Sequence, residues 1–363
     1  MASLAMAKDE AKRTSCFHGG IFSVNPKLVR LDFSSSINPL GISDRVLASI
    51  RRNLCSVSSS YPDPECVDLK NHILDYLDSD LGLEYLCVGN GATEIIHDFA
   101  RAFVRNHALI PAPTFCEYEL ASYRMGARVM LVPLKNMTLD PELIIEKAKE
   151  QDAIFFCNPN NPTGLLCTKE IKKVIERLES STKVLVDESF IEFVDGGSKA
   201  YSLIDKVKEY DNLVVLRSFT KSFGLAGLRV GYSVSNPKLA KQISANRISW
   251  NVNGVAQLAA IVALKDLTHI EKARAMVKEE RSFMRSYINK KMQNFIACGS
   301  DVNYFLIHLE NKDSIRVRDL MLLRTGILIR DCSTFQGMGH EYVRVAVKTH
   351  TENLLLLEAI ASI

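Results

Sequence analysis

Several features that would assign the chain to a special class of protein are missing from its 363 residues. No apolar run approaches the ~18 residues of a membrane span, and the N-terminus lacks an apolar stretch followed by a cleavage site. Lysine and arginine number 45 against 42 aspartate and glutamate, without a long block of one sign. We therefore expect neither a membrane nor nucleic acid as a partner, and a cytoplasmic location.

CxxC pairs are also missing, although the chain has nine cysteines. They are scattered over positions 16, 55, 66, 87, 116, 157, 167, 298 and 332. An odd number at such spacings is typical neither of a disulfide framework nor of a zinc knuckle. We expect reduced cytosolic thiols and no metal site.

Short apolar segments between residues 85 and 234 predict seven buried strands. They cover residues 85–88, 108–111, 128–133, 153–157, 183–186, 213–216 and 229–234. Segments with helical periodicity separate several of them, for example 94–105 and 168–179. Alternating strands and helices predict an α/β domain with a mostly parallel, largely buried sheet.

The pattern changes toward the C-terminus and indicates a second domain. Residues 253–292 are almost wholly helical in pattern, and short strands with a terminal helix follow from residue 303. We therefore divide the chain into an N-terminal arm packing on the small domain (1–35), a large domain (36–255) and a smaller α+β domain (256–363).

The segment 218–232 has the most informative chemistry, because it places a lysine, hydroxyls, glycines and an arginine directly after a predicted buried strand. A lysine partly withdrawn from water becomes a usable nucleophile for a carbonyl, which makes Lys221 a Schiff-base candidate. Ser218 and Arg229 are suited to hold a phosphate beside it. The alternative is a surface lysine in a glycine-rich turn.

Three other segments carry polar residues where predicted strands end. Residues 89–94 (Gly-Asn-Gly-Ala-Thr-Glu) lead into a helix, whose free N–H groups attract a phosphate. Residues 158–164 (Asn-Pro-Asn-Asn-Pro-Thr-Gly) can direct an asparagine amide at a phenolic oxygen. Asp187 ends another strand and is suited to pair with a protonated ring nitrogen. Taken singly, each also fits a turn, a helix cap or an ion pair.

In this order and spacing, the four segments resemble the fold-type I pyridoxal-phosphate enzymes. They are most similar to the group of histidinol-phosphate aminotransferases and threonine-phosphate decarboxylases, from about His18 to Asn353. The resemblance implies a mostly parallel seven-stranded sheet in a large cofactor-binding domain. It also implies pyridoxal 5'-phosphate as the cofactor, with Lys221 as its covalent attachment point.

The same resemblance implies a role for each of the other motif residues. Asp187 would keep the pyridine nitrogen protonated, Asn161 would bind the ring oxygen, and Phe115 would stack on the ring. Tyr61 would reach the phosphate of the neighbouring subunit, which implies a homodimer. The implied ligands of the cofactor phosphate within one subunit are Gly91, Ala92, Thr93, Ser218 and Arg229.

Three departures from the aminotransferase pattern favour the decarboxylases. Phe190 replaces a tyrosine, Phe17-His-Gly-Gly20 resembles a decarboxylase segment, and so does the run that follows Arg330. The implied substrate-binding residues are His18, Gly19, Asn38, Asn161, Arg330 and Arg344. Lys348 in place of a common arginine and Ser189 in place of alanine are two further departures from the family pattern.

The function implied by this resemblance is decarboxylation of an O-phospho-amino acid to an amino-alcohol phosphate and carbon dioxide. L-threonine O-3-phosphate and L-serine O-phosphate are not distinguished, since one methyl group changes binding by only ~1–3 kcal/mol. The first would give the aminopropanol phosphate linker of cobalamin-type cofactors. The alternatives are a histidinol-phosphate aminotransferase and, from another class, a non-catalytic scaffold with the same fold.

Overall fold

The computed structural model describes residues 16–363, which form strands and helices in alternation over most of their length. The strands are β1 Leu31–Asp32, β2 Leu86–Gly89, β3 His107–Ala112, β4 Arg128–Pro133, β5 Ala153–Cys157, β6 Lys183–Asp187, β7 Leu213–Ser218, β8 Gly231–Ser235, β9 Phe295–Ala297, β10 Tyr304–Leu309, β11 Ile327–Leu328, β12 Arg330–Asp331 and β13 Tyr342–Ala346. The α-helices are α1 Asp44–Ser58, α2 Val67–Leu77, α3 Ala92–Phe103, α4 Glu117–Arg124, α5 Pro141–Lys147, α6 Thr168–Ile175, α7 Pro237–Ser244, α8 Gly254–Leu264, α9 Leu267–Lys291, α10 Ser314–Thr325 and α11 His350–Ala361.

A seven-stranded sheet is the centre of the larger part of the molecule. Its strand order is β2-β8-β7-β6-β5-β3-β4, and the pairs between β7 and β4 are all parallel. Only β8 runs antiparallel to its two neighbours. The predicted α/β fold with a mostly parallel seven-stranded sheet is therefore confirmed.

Alternate residues of the central strands enter two separate apolar cores, as the period of two in a strand requires. On β6, Val184 and Val186 pack in one core, and Leu185 packs in the other. All three are fully buried, which explains the unbroken apolar pattern of these strands in the sequence.

A four-stranded antiparallel sheet, in the order β12-β13-β10-β9, lies in the C-terminal part of the chain and has its own apolar core. Near the N-terminus, β1 pairs in parallel with β11 from this same part of the chain. The limits assigned to the arm and the two domains stay predictions. No helix among residues 16–363 is both long enough and apolar enough to cross a bilayer.

Parallel strands place their carboxyl ends along one edge of a sheet, and ligands bind in the crevice outside that edge. Here β5, β6 and β7 end at Cys157, Asp187 and Ser218, and a polar sequence motif begins at or directly after each of these residues. The topology thus brings motifs that are far apart in sequence to one edge.

Candidate active site

A cavity of about 310 Å³ opens at this edge, and residues from the four-stranded sheet and the N-terminal segment complete its wall. Most of the residues predicted from the sequence to bind cofactor or substrate line it. They are His18, Gly19, Ala92, Thr93, Phe115, Asn161, Asp187, Ser218, Lys221, Arg229, Arg330 and Arg344. The separate sequence motifs therefore meet around one space.

Lys221 lies just beyond β7, and its backbone carbonyl accepts a hydrogen bond from the N–H of Asn38 at 2.9 Å. Burial lowers the pKa of Lys221 to about 8, and the charges of Arg344 and Arg229 act in the same direction. An amine with this pKa is partly neutral near physiological pH, as attack on an aldehyde requires.

Asp187 is buried at the end of β6 and is held by three donors. Its Oδ2 accepts from the hydroxyl of Tyr118 at 2.8 Å, and its Oδ1 accepts from the N–H and the hydroxyl of Ser189 at 2.9 and 2.5 Å. Burial raises the pKa of Asp187, against the effect of these hydrogen bonds. A buried carboxylate of this kind favours a cationic partner, such as a protonated ring nitrogen.

Gly91 and Arg229 form a cradle at the start of α3. Gly91 has a φ of 81°, in the left-handed region that favours glycine. A Cβ at this position would lie 2.5 Å from Nη2 of Arg229, so only glycine leaves room for the guanidinium. The N-terminal end of α3 and this guanidinium together suit a phosphate group.

Arg330 and Arg344 are directly opposite each other on the antiparallel strands β12 and β13. Both are buried and both line the cavity. Burial lowers the pKa of Arg330 to about 10, and the charge of Arg344 contributes to the decrease. Like charges directly opposite on a sheet repel each other, so this pair favours a bound anion.

Arg344 also orients the amide of Asn161. Its Nη1 donates to Oδ1 of Asn161, and its Nη2 donates to the carbonyl oxygen of Ser34 at 2.8 Å. Because Oδ1 of Asn161 is used as an acceptor, Nδ2 is the atom left to donate to a ring oxygen. The buried Nε of Arg344 has no hydrogen-bond partner within the described part of the chain.

Glu117 binds two histidines, of which His18 lines the cavity. Its Oε1 lies 2.9 Å from Nε2 of His18, and its Oε2 lies 3.0 Å from Nε2 of His97. Burial opposes the charge of Glu117, but the two hydrogen bonds outweigh it and lower the pKa of this carboxyl to about 2. The carboxylate therefore fixes the ring of His18 and leaves Nδ1 of that ring for another ligand.

Three predicted site residues do not line the cavity, and one of them, Gly91, lies in the cradle beside Arg229. The Nδ2 of Asn38 donates to the carbonyl oxygen of Ser222 at 2.6 Å, so Asn38 supports the segment that carries Lys221. Tyr61 is 82% exposed, and its ring lies 4.8 Å from that of Trp250, centroid to centroid.

Sequence reasoning missed Tyr118 and Glu117, and noted Ser189 only as a departure. Glu117 and Tyr118 lie two and three residues after the predicted stacking residue Phe115, which is a weak signal for their position. Their partners lie 69 and 99 residues away in sequence, so the contacts depend on the tertiary fold.

The expectation of nine reduced thiols is wrong for two of them, because Cys16 and Cys116 form a disulfide. The partners are 100 residues apart in sequence, and their Cα atoms lie 5.8 Å apart. Spacing alone could not reveal this pair, since it depends on where the N-terminal segment lies. The other seven cysteines are free.

Pyridoxal phosphate has an aldehyde, a ring nitrogen, a phenolic oxygen and a phosphate, and the residues present fit all four. Lys221 suits the aldehyde, Asp187 the nitrogen and Asn161 the oxygen, while the cradle that a Cβ at Gly91 would fill suits the phosphate. The fold and this site define a pyridoxal-phosphate enzyme.

Comparison with known proteins gives the family. Residues 30–360 match the family Aminotransferase class I and II, and the chain therefore belongs to it. Its members use pyridoxal phosphate.

Three similar proteins show that both decarboxylases and aminotransferases resemble this chain. A protein of Caldanaerobacter subterraneus, provisionally named threonine-phosphate decarboxylase, is 36% identical over 90% of this chain and 88% of its own. The structure of histidinol-phosphate aminotransferase from Clostridium acetobutylicum has a TM-score of 0.85 at 34% identity, covering 92% of this chain and 98% of that one. L-threonine-O-3-phosphate decarboxylase from Porphyromonas gingivalis has a TM-score of 0.81 at 26% identity, with the same coverage.

Proposed function

We propose that the protein decarboxylates an O-phospho-amino acid, L-threonine O-3-phosphate or L-serine O-phosphate, to an amino-alcohol phosphate and carbon dioxide. The observation that carries this proposal is the pair of buried arginines, Arg330 and Arg344, directly opposite each other on β12 and β13 in the cavity that Lys221 also lines. Such a substrate has a carboxylate and a phosphate of about −2 charge, and both need cationic partners. Arg330 and Arg344 supply them in one cavity, and His18 adds a ring nitrogen that can hydrogen-bond to an anion.

The bound cofactor supplies a ring that accepts electrons from a bond to the substrate Cα. The residues of the chain then determine the outcome, because the substrate's orientation decides which bond to Cα is cleaved. We assign to the arginines the task of holding the two anionic groups. We assign to Nζ of Lys221 the return of a proton to Cα after carbon dioxide has left, since its pKa of about 8 suits proton exchange near neutral pH.

Phe190 supports decarboxylation over amino transfer. Its ring lines the cavity, 5.8 Å from Nζ of Lys221 to the ring centroid, at the place where the resemblance gives aminotransferases a tyrosine. A phenylalanine cannot donate a hydrogen bond to the ring oxygen, so that task rests on Asn161.

Histidinol-phosphate aminotransferase is the second candidate. Relatives from several organisms carry this name, including one of Symbiobacterium thermophilum at 31% identity, and so does the Clostridium structure. An aminotransferase reaction would need 2-oxoglutarate as the amino acceptor.

The deciding experiment supplies phosphothreonine or phosphoserine without any keto acid. A decarboxylase releases carbon dioxide over many turnovers, because protonation at Cα returns the cofactor to its starting form. An aminotransferase stops after one half-reaction and resumes only when 2-oxoglutarate is added. Keto-acid-dependent turnover of histidinol phosphate, with no carbon dioxide from either phosphoamino acid, would overturn the proposal and leave the cofactor assignment intact.

The proposal includes two further points. With phosphothreonine the product is aminopropanol phosphate, the linker of cobalamin-type cofactors, which chromatography against a standard would identify. The active form is a homodimer in which Tyr61 of one subunit reaches the cofactor phosphate of the other. The exposure of Tyr61 outside the cavity of its own subunit supports an intersubunit role.

A further inference from the structure

The disulfide between Cys16 and Cys116 joins the N-terminal segment to the wall of the active site. Cys116 lies between Phe115, which lines the cavity, and the start of α4. Cys16 directly precedes Phe17 and His18, which also line it. Both cysteines are partly exposed, so reductants and oxidants in solution can reach the bond.

The other polar contacts of this segment also end at active-site residues. The carbonyl oxygen of Phe17 accepts a hydrogen bond from Nη2 of Arg330 at 2.8 Å. The ring of His18 contacts Glu117, and the N–H of Gly20 donates to the hydroxyl of Ser34 at 2.7 Å. Phe17 itself is 61% exposed, so burial of its ring contributes little to holding the segment in place.

We propose that Cys16 and Cys116 are a site of reversible oxidation that sets the affinity of the cavity for anions. The disulfide holds His18 and Gly19 against the cavity, and its reduction releases them. The inference deepens the proposed function and rests on it in one respect. It requires that an anionic group of the substrate binds on the His18 side of the cavity.

The chemistry balances with a glutathione-type disulfide as the oxidant. One cysteine thiolate attacks a sulfur of oxidised glutathione, which forms a mixed disulfide and releases one glutathione thiolate. The second cysteine thiolate then displaces the other glutathione. Two electrons pass from the protein thiols to glutathione, and the two thiol protons end on the two reduced glutathione molecules.

Oxidation favours anion binding for an entropic reason. The bond closes a loop between positions 100 residues apart, so the segment that carries His18 is already confined beside the cavity. A segment that is free in the reduced protein must be ordered when the anion binds, and this ordering weakens binding. The oxidised form is therefore the one with higher affinity.

The test measures binding of inorganic phosphate to the holoenzyme, in which the cofactor's own phosphate occupies the cradle. The protein is equilibrated with oxidised glutathione or with dithiothreitol, and mass spectrometry of unreduced peptides verifies the Cys16–Cys116 link. Calorimetry then gives the Kd of phosphate, which we expect to rise about tenfold on reduction.

Matched variants separate the disulfide from general thiol effects. Cys16→Ser should have the phosphate affinity of the reduced protein in both buffers. Cys55→Ser, at an exposed cysteine on α1, should respond to oxidation as the wild type does. Limited proteolysis provides a second readout, since cleavage before Gly19 should become faster on reduction and stay fast in Cys16→Ser.

Three results would overturn the inference. The first is failure of the Cys16–Cys116 link to form in oxidised glutathione, and the second is equal phosphate affinity in the two states. The third is stoichiometric zinc in the reduced protein that Cys16→Ser loses, because Cys16, His18 and Cys116 also lie close enough to share a metal ion. None of these measurements depends on carbon dioxide release. Failure of the proposed reaction is therefore distinguishable from failure of the proposed redox role of the disulfide.

Discussion

At the scale of single residues, burial shifts the two central ionisable groups in opposite directions. It lowers the pKa of Lys221 to about 8 and raises the pKa of Asp187, in each case by disfavouring the charged form. The lysine thereby becomes a better nucleophile, and the aspartate becomes a stronger partner for a cation. Tyr118 and Ser189 limit the rise in the pKa of Asp187, because they donate hydrogen bonds to its carboxylate.

The shift at Lys221 predicts a pH dependence of the cofactor-free protein. Because the pKa is about 8 in the folded state and 10.5 in its unperturbed state, folding requires loss of a proton between these values. We expect the free energy of unfolding to rise with pH over this window. Below pH 8, the destabilisation of the folded state by the buried charge of Lys221 is fully present. The measurement compares the free energies of unfolding of wild type and Lys221→Met in denaturant. As the pH rises through this window, wild type should gain stability relative to the variant, because methionine does not titrate. A constant difference would contradict the assignment.

The opposed arginines predict a loss of substrate binding when either is removed. Arg330→Ala and Arg344→Ala should each lower kcat/KM by a factor that corresponds to about 2–5 kcal/mol, since one substrate anion then lacks its charged partner. His18→Ala should cost less, because water partly replaces its donor. Arg128→Ala, at an exposed arginine on β4, is the control and should leave kcat/KM unchanged. Normal kcat/KM in both cavity variants would place the anions elsewhere.

At the scale of elements, the sequence predicted the strands well, because buried strands have a strong apolar pattern. Residues 128–133 and 153–157 form strands with the predicted limits. The strand predicted at 229–234 instead begins at Gly231, because Arg229 has a φ of 60° and belongs to the cradle. Strand order and the contact between Asp187 and Tyr118 could not be predicted, since apolar periodicity has no information about which distant elements meet.

A buried ion-pair cluster fixes β7 relative to the segment after β6, and predicts a large effect on stability. Nε of Arg217 donates to Glu188 at 2.8 Å, and its Nη1 donates to Glu192 at 2.5 Å. Arg217→Met would leave the buried Glu188 without a cation and Glu192 with only Arg274 at 4.0 Å, at a cost of about 3–5 kcal/mol. Urea unfolding measures this effect, with the exposed Arg128→Met as the matched control. A loss below about 1 kcal/mol would show that the cluster is not the constraint we describe.

At the scale of the whole molecule, the active site depends on how two sheets lie against each other. The large sheet supplies Lys221 and Asp187, and the four-stranded sheet supplies Arg330 and Arg344. The resemblance predicted that these residues share one site, but the contacts that hold them there, such as that of Arg344 with Asn161, required the tertiary structure. Tyr61 lies outside this arrangement, exposed beside Trp250, and its predicted role needs a second subunit.

The intersubunit role of Tyr61 predicts complementation between two impaired variants. Lys221→Ala lacks the nucleophile, and Tyr61→Ala lacks the group that would reach the neighbouring cofactor phosphate, so each homodimer should have little activity. In a mixed dimer, the subunit that keeps Lys221 receives Tyr61 from its partner, and one of the two sites is complete. After random subunit exchange about half of the dimers are mixed, so about a quarter of wild-type activity should return. If Tyr61 acts within its own subunit, neither site of the mixed dimer is complete, and mixing should give only the average of the two variants. Tyr61→Phe in place of Tyr61→Ala then tests whether the hydroxyl carries the effect, because a phenylalanine keeps the ring and removes only the donor to the phosphate.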